Sequence, residues 1–251
     1  MKRKALLIEA GKAKGQNPLT GPERDVIRLK KWLESNIGGA WNEDEIIELH
    51  NPSPLQVRSA ISNCGSSDFS FVSFSGHGCI EEDQYGRQAQ KIVVGSGEDM
   101  IWDELKPSSL KNILICDACR VVEKIVVNMS ESVKAAQKYE RRAAEQYTRA
   151  QYRDAFDRAI SNANPGTFFM YGCSPNQYSY EDPLNGGYFT ISLIEAAANW
   201  WENQNNSSVL YVDSAFDRAK RLVASRKPTQ VPFGGPENRS GNAFPFGICL
   251  K

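Results

Sequence analysis

The chain has 251 residues, room for one large domain or two small ones, and one is the simpler expectation. Thirty basic residues balance thirty acidic ones, so bulk charge gives no reason to expect binding to nucleic acid or to an anionic membrane. A hydrophobic share of 41% with 24% charged residues suits a soluble globular protein, and no apolar run approaches the roughly 20 residues of a membrane span.

Met1 to Lys4 is basic, but the apolar run behind it is too short for a signal peptide. Lys4–Ala10 reads instead as a first strand. A Gly/Lys/Pro-rich loop follows from Gly11 to Gly21. Pro22 then opens a helix to about Glu34, with Val26, Leu29 and Leu33 on one stripe. Glu45–Leu49 is a second strand. Ser53 as N-cap and Pro54 in the first turn start a helix to about Asn63. Phe69–Phe74 is a third strand, Lys91–Val94 a small extra strand or hairpin arm, and Trp102–Leu105 a short helix. Ile113–Cys116 is the fourth main strand.

Glu131 to Ser161 is rich in Ala, Lys, Arg, Glu and Gln. It carries Glu145/Arg149 and Asp154/Arg158 pairs at helix-supporting spacing, with an apolar stripe at Tyr152, Phe156 and Ile160. It reads as a long helical arm. Thr167–Tyr171 is a fifth strand, Cys173–Gly187 a polar loop, Tyr188–Trp201 and Val209–Ser225 helices. A Pro/Gly-rich loop, Pro228–Gly241, leads to a last strand, Phe244–Leu250. Strands alternating with helices predict a largely parallel sheet between helical layers, a single α/β domain.

Two of these strands end in reactive side chains. Phe69–Phe74 runs into Ser75-Gly76-His77-Gly78, and Ile113–Cys116 into Asp117-Ala118-Cys119-Arg120. Parallel strands place such ends on one sheet edge, where open α/β sheets build sites. A thiol–imidazole pair there can do nucleophilic catalysis, with the amides of Gly78 and Cys119 as oxyanion donors. The chain has two histidines, and His50 has no reactive neighbours in sequence. Two other chemistries use the same atoms. Cys116-x-x-Cys119 is formally a redox motif, although Cys116 belongs to the apolar run. His77, Cys79, Cys116 and Cys119 could bind zinc, but the glutamate that a zinc deaminase needs is replaced by Cys79. Six cysteines scattered without a framework suggest a reduced, cytoplasmic protein.

Strand–Ser-Gly-His-Gly followed by strand–Asp-Ala-Cys-Arg resembles the caspase superfamily of cysteine peptidases, closest to its metacaspase and paracaspase branches. Leu6-Leu7-Ile8 with Pro22-Glu-Arg-Asp25-Val resembles the family's first strand and helix. Tyr171-Gly-Cys-Ser, Tyr180-Glu181-Asp182 and Gly186-Gly187-Tyr-Phe189-Thr190 resemble its strand-five loop and following helix. The resemblance spans the chain apart from the Glu131–Ser161 arm. It implies a three-layer sandwich on a mostly parallel six-stranded sheet, with residues 1–120 as a large-subunit-like half, 121–165 as a helical linker and 166–251 as a small-subunit-like half. It also implies His77 as general acid/base, Cys119 as nucleophile, Gly78 and Cys119 as oxyanion donors, and no orienting carboxylate, metal or cofactor.

By the same resemblance Asp25, Asp117 and Glu181 fall at positions that line the substrate pocket in paracaspases, which hold arginine or lysine before the cut. Three carboxylates around one hole repel at about 4 kcal/mol per pair at 4 Å and an effective dielectric near 20, unless a cation enters. An arginine guanidinium suits that hole, with lysine second. The same acids oppose thiolate formation at Cys119. In caspases the segment after the nucleophile is often cut on activation, and Arg141, Arg142 and Arg149 make self-cleavage there an expectation. Calcium sites in metacaspases use acidic clusters, but Glu81-Glu82-Asp83 reads more simply as a solvated loop.

The expected partners are peptide or protein substrates, with no nucleic acid or membrane. The bare domain resembles stand-alone prokaryotic caspase-like proteases, some of which are cell-death or anti-phage effectors switched on by a partner protein or a small nucleotide. Two alternatives stand beside this reading. One is a ligand-triggered interaction module using the arm and Trp200-Trp201. The other is a clostripain- or legumain-type peptidase, which shares Ala118-Cys119 but fits Asp-x-Cys-Arg less well.

Overall fold

A computed structural model describes residues 1–82, 85, 87–121, 147–237 and 244–251. In chain order the elements are β1 (Arg3–Ala10), α1 (Gly21–Glu34), β2 (Ile46–His50), α2 (Pro54–Gly65), β3 (Phe69–Gly76), β4 (Gly78–Glu82), β5 (Gln88–Val93), β6 (Asp99–Ile101) and β7 (Lys111–Asp117). Then come α3 (Arg149–Asn162), β8 (Gly166–Tyr171), β9 (Glu181–Asp182), β10 (Gly186–Gly187), α4 (Tyr188–Glu202), β11 (Ser208–Tyr211), α5 (Val212–Arg226), β12 (Phe233–Pro236) and β13 (Pro245–Cys249).

Alternation along the strands decides the layers. Ala5, Leu7, Phe69, Phe71, Ile113, Ile115, Phe168 and Met170 face one core, and Leu6, Ile8, Val72, Phe74, Leu114 and Cys116 the other. Both faces of the central strands are thus covered, as their unbroken apolar runs require. The first core packs under α1, α3, α4 and α5; the second packs under α2 and the segment carrying Met100, Trp102 and Leu105. The six-stranded sheet has the order β12-β8-β7-β3-β1-β2, parallel except for the edge strand β12. This is the expected α/β sandwich.

The sixth strand is not the expected one. Phe233–Pro236, inside the predicted loop, pairs with β8 (Gly234 opposite Met170, Gly235 opposite Phe169). A Cβ on Gly234 would sit 2.2 Å from the Phe169 carbonyl oxygen, so glycine here permits close backbone approach, and Pro236 is tolerated because the strand lies at an edge. The predicted last strand becomes β13, which pairs antiparallel with β11 in a separate two-stranded sheet, with Phe246 and Ile248 in the first core. Its partner β11 takes the residues predicted to start the last helix, which begins at Val212 instead. The predicted hairpin arm is the middle of a three-stranded antiparallel sheet, β4-β5-β6, inserted directly after His77.

Several boundaries follow local chemistry. Ser53 Oγ accepts from the Gln56 amide while Gln56 reaches back to the Ser53 amide, a reciprocal cap that sets the start of α2. Thr148 and Gln151 repeat the arrangement at α3. Of the predicted arm, residues 122–146 lie outside those described. In α3, Tyr152, Phe156 and Ile160 all enter the first core, with the Phe156 ring edge-on to Trp41 at 6.2 Å and to Phe69 at 6.4 Å. Trp200 is buried in the same core and Trp201 packs against it.

Replacing Phe156 by Ala leaves that aromatic cluster a cavity. Equilibrium urea unfolding should show a loss of about 3–5 kcal/mol; a loss below about 1 kcal/mol would mean that α3 is not part of the cooperative core.

Candidate active site

β3 and β7 are adjacent and parallel, with Ser75 opposite Asp117. His77 and Cys119 therefore each lie two residues beyond one paired position, at the same sheet edge. The segments that carry them lie close together, since a Cβ on Gly78 would meet the Cβ of Ala118, the residue before Cys119, at 3.0 Å. His50 lies elsewhere, at the end of the edge strand β2, with Nδ1 3.3 Å from Glu9 Oε1. Cys116 is buried in the second core. Among the described residues no group of three His, Cys, Asp or Glu side chains is placed to hold a metal ion. Glu81 pairs with Lys91 and Glu82 accepts from Gln88, while Asp83 lies outside the described residues.

Each member of the pair has a backbone partner. His77 Nε2 lies 2.7 Å from the carbonyl oxygen of Asn17. A carbonyl can only accept, so Nε2 carries the proton, and in the neutral ring Nδ1 holds the free lone pair. Cys119 Sγ donates to the Ser179 carbonyl at 3.6 Å. Burial pushes the Cys119 thiol above its ordinary pKa; the hydrogen bond to Ser179 opposes this, and Asp117 and Glu181 add to it.

The three acids converge. Asp25 shares the inward stripe of α1 with Leu29 and Trp32, and it is 1% exposed; Asp117 ends β7 and is 5% exposed. A Cβ on Gly187 would lie 2.3 Å from Asp117 Oδ2 and 3.0 Å from Asp25 Oδ2, so both carboxylates flank one point of β10. Its neighbour Gly186 has φ +109°, and a Cβ there would meet Asp25 Oδ1 at 2.2 Å, so these two positions demand glycine. Glu181, half-buried in β9, accepts from the Thr20 amide and presses against Gly21 at the start of α1.

Partners hold the two buried carboxylates. Asp25 Oδ2 accepts from Ser75 Oγ at 2.6 Å and Oδ1 from the Gly187 amide at 2.8 Å. Asp117 Oδ1 accepts from Ser179 Oγ at 2.5 Å, and Oδ2 accepts from Thr190 Oγ1 at 2.8 Å and the Thr190 amide at 3.1 Å. Fully buried Gln230 braces the loop, donating to the Gly172 carbonyl and Ser179 Oγ and accepting from the Tyr180 amide. These bonds do not offset the charge. Burial lifts Asp25 well above the usual carboxylate range, and Asp117 lifts it further; burial also raises Asp117 and Glu181.

Sequence reasoning missed Asn17, Ser179 and Gln230, and it quoted Thr190 without giving it a role. Asn17 contributes a main-chain oxygen, which no motif encodes. Ser179 and Thr190 lie far along the chain from Asp117 and meet it from the loop after β8 and from α4, while Gln230 reaches the site by holding Ser179. Of the arginines expected to take self-cleavage, Arg149 opens α3 and donates to the carbonyls of Glu34 and Trp41. Arg141 and Arg142 lie outside the described residues.

Residues 2–234 match the family model described as Caspase domain. No curated protein sequence matches the chain. Among solved structures, caspase-1 from Spodoptera frugiperda is similar with a TM-score of 0.58 at 12% identity, over 99% of this chain and 89% of that one. At that identity the likeness speaks for the fold alone. The match over nearly the whole length places the chain in a family, and that family is the caspase domain of the cysteine peptidases.

Proposed function

We propose that the chain is a cysteine endopeptidase that cleaves after arginine, with lysine second, using Cys119 as nucleophile and His77 as general acid/base. Residues 1–120 and 166–251 act as two halves of one peptidase domain. The observation that carries the preference is the convergence of Asp25, Asp117 and Glu181 beside the sulfur, two of them buried without a cation among the described residues. A guanidinium entering that hole meets carboxylates on several sides and can bridge them with its fork of donors.

In the proposed cycle the substrate carbonyl approaches Sγ and the thiol leaves the Ser179 carbonyl. Nδ1 of His77 takes the proton as sulfur adds to the carbonyl carbon. The resulting oxyanion accepts from the amides of Gly78 and Cys119. Collapse breaks the C–N bond, and the departing amine takes the proton from the imidazolium. Water, deprotonated by His77, then cleaves the thioester and restores the thiol. The Asn17 carbonyl keeps Nε2–H engaged throughout and steadies the ring. Burial first and the acids second raise the Cys119 pKa, so a cationic side chain that offsets Asp117 and Glu181 removes part of what opposes the thiolate.

The proposal extends to regulation. Activation by a partner protein, a small nucleotide or self-processing, and a role in cell death or anti-phage defence, fit a domain in which burial and the acids oppose the thiolate. Self-processing should fall after Arg141 or Arg142, because Arg149 is tied to the core. Peptide mapping of incubated active enzyme by mass spectrometry should find those cuts and none after Arg149. A cut only after Arg149 would contradict the assignment.

A fluorogenic panel varying only the residue before the cut should show turnover after Arg, less after Lys and none after Asp, all abolished in Cys119→Ala. Asp117→Asn keeps the shape and can keep the Ser179 and Thr190 contacts. It should cost Arg peptides about 2 kcal/mol or more of transition-state binding, roughly thirty-fold in kcat/KM. Preference for Asp peptides would refute the acidic pocket.

A carboxyl raised by burial favours the folded state fully below its unfolded pKa, and that benefit is lost as pH rises through the folded value. Asp25→Asn removes this cost while its amide still faces Ser75 Oγ and Gly187. Thermal unfolding should show it to be more stable than wild type at pH 8, by on the order of 1 kcal/mol, with the gain shrinking toward pH 4. A variant destabilised at pH 8 would contradict a strained carboxylate.

A further inference from the structure

The backbone around the nucleophile is held at consecutive positions. Cys173 Sγ donates to the Ala118 carbonyl at 3.5 Å, the Arg120 amide donates to the Gln177 carbonyl, and the Asn176 amide donates to the Arg120 carbonyl. The Ile80 amide donates to the Val121 carbonyl. The carbonyl of Cys119 itself is held by one side chain among the described residues, Gln90 of β5, whose Nε2 donates to it at 3.2 Å.

Gln90 is 8% exposed and its amide orientation is fixed by chemistry. Nε2 also donates to the Lys91 carbonyl at 2.9 Å, and Oε1 accepts from Arg120 Nε at 2.9 Å. Carbonyls accept only and a guanidinium donates only, so the flipped amide would lose all three bonds. The same Nε2 borders the other reactive segment, since a Cβ on Gly78 would meet it at 3.0 Å. Arg120 is held in turn over the Tyr171 ring, its Cζ 4.1 Å from the centroid. One buried amide therefore bonds the Cys119 carbonyl and borders Gly78, between two segments forty residues apart along the chain.

We propose that Gln90 is a positioning residue: its amide sets the Cys119 peptide against the His77–Gly78 segment, and so fixes the sulfur-to-imidazole spacing and the pair of oxyanion amides. This rests on the reading of His77 and Cys119 as the reacting pair. Gln90 touches no reacting atom, so its loss should leave substrate binding in the acidic pocket intact and reduce the chemical step.

Two variants separate this role from a structural one. Gln90→Leu deletes all three bonds. Gln90→Glu keeps an acceptor, now charged, for Arg120 Nε but turns an oxygen toward the Cys119 carbonyl. Both should lower kcat on an Arg peptide by about ten-fold to a hundred-fold with KM within about two-fold of wild type. Both should also shift the pH midpoint of iodoacetamide alkylation of Cys119 upward, because a displaced imidazole stabilises the thiolate less. Assays run well below each variant's unfolding midpoint keep loss of fold out of these readouts. Wild-type kcat and an unshifted alkylation profile in both variants would overturn the proposal. So would a loss confined to Gln90→Leu, which would make Gln90 merely an anchor for Arg120. Turnover by Cys119→Ala would instead strike the peptidase reading itself and leave the packing of Gln90 unaffected.

Discussion

Two carboxylates buried within reach of one backbone point, with a third beside them, form an arrangement that water does not screen and no cation of the described chain neutralises. The fold tolerates it only because donors surround the oxygens: Ser75 and Gly187 on Asp25, Ser179 and Thr190 on Asp117. Those donors come from β3, β10, the loop after β8 and α4. Most of the sheet edge is thus organised to hold negative charge where a solvated surface would hold it more easily. The cost makes sense if the charge meets a cation that arrives with the substrate. Burial raises the pKa of the neighbouring Cys119 thiol, and Asp117 and Glu181 add to it, so on the proposed reading the same acids bear on both substrate choice and the state of the sulfur.

The sheet supplies the geometry. Parallel register between β3 and β7 delivers histidine and cysteine to one edge from segments forty residues apart, and the inserted three-stranded sheet folds back so that Gln90 bridges them. Placing Cys119 after a strand buried on both faces gives it a rigid base, while Ile80 and Gln90 fix the chain beyond it.

Much of this was legible in the residues. Phe69–Phe74 and Ile113–Cys116 are short apolar runs ending in His-Gly and Asp-x-Cys, a local pattern that identifies both strands and points to one sheet edge. Asp117 could be read because it lies two residues before Cys119 at the end of a buried strand. Asp25 was harder, since a charge on a helix is ordinarily solvated, and only its phase with Leu29 and Trp32 turns it inward. What stayed hidden depends on distance in space. Phe233–Pro236 looks like a loop because two glycines and a proline carry no strand pattern, yet an edge strand against β8 needs just that lack of bulk. Phe244–Leu250 has the pattern of a strand, but pattern does not say which sheet it joins. Asn17 acts through its main chain and Gln90 through three contacts to other segments, and neither leaves a local signature.

The central claim is that cationic substrate and buried acids are linked through protons. Asp25, Asp117 and Glu181 all sit above their ordinary pKa in the free protein, and a guanidinium among them must lower them again. Calorimetric titration of Cys119→Ala with an arginine-ended peptide, repeated in buffers of different ionisation enthalpy, measures this directly. Net proton release at pH values where the raised acids of the free protein are still partly protonated, with affinity rising as pH rises and release reduced in Asp25→Asn, is the predicted result. Binding with no proton exchange, or equal affinity for an aspartate-ended peptide, would contradict it.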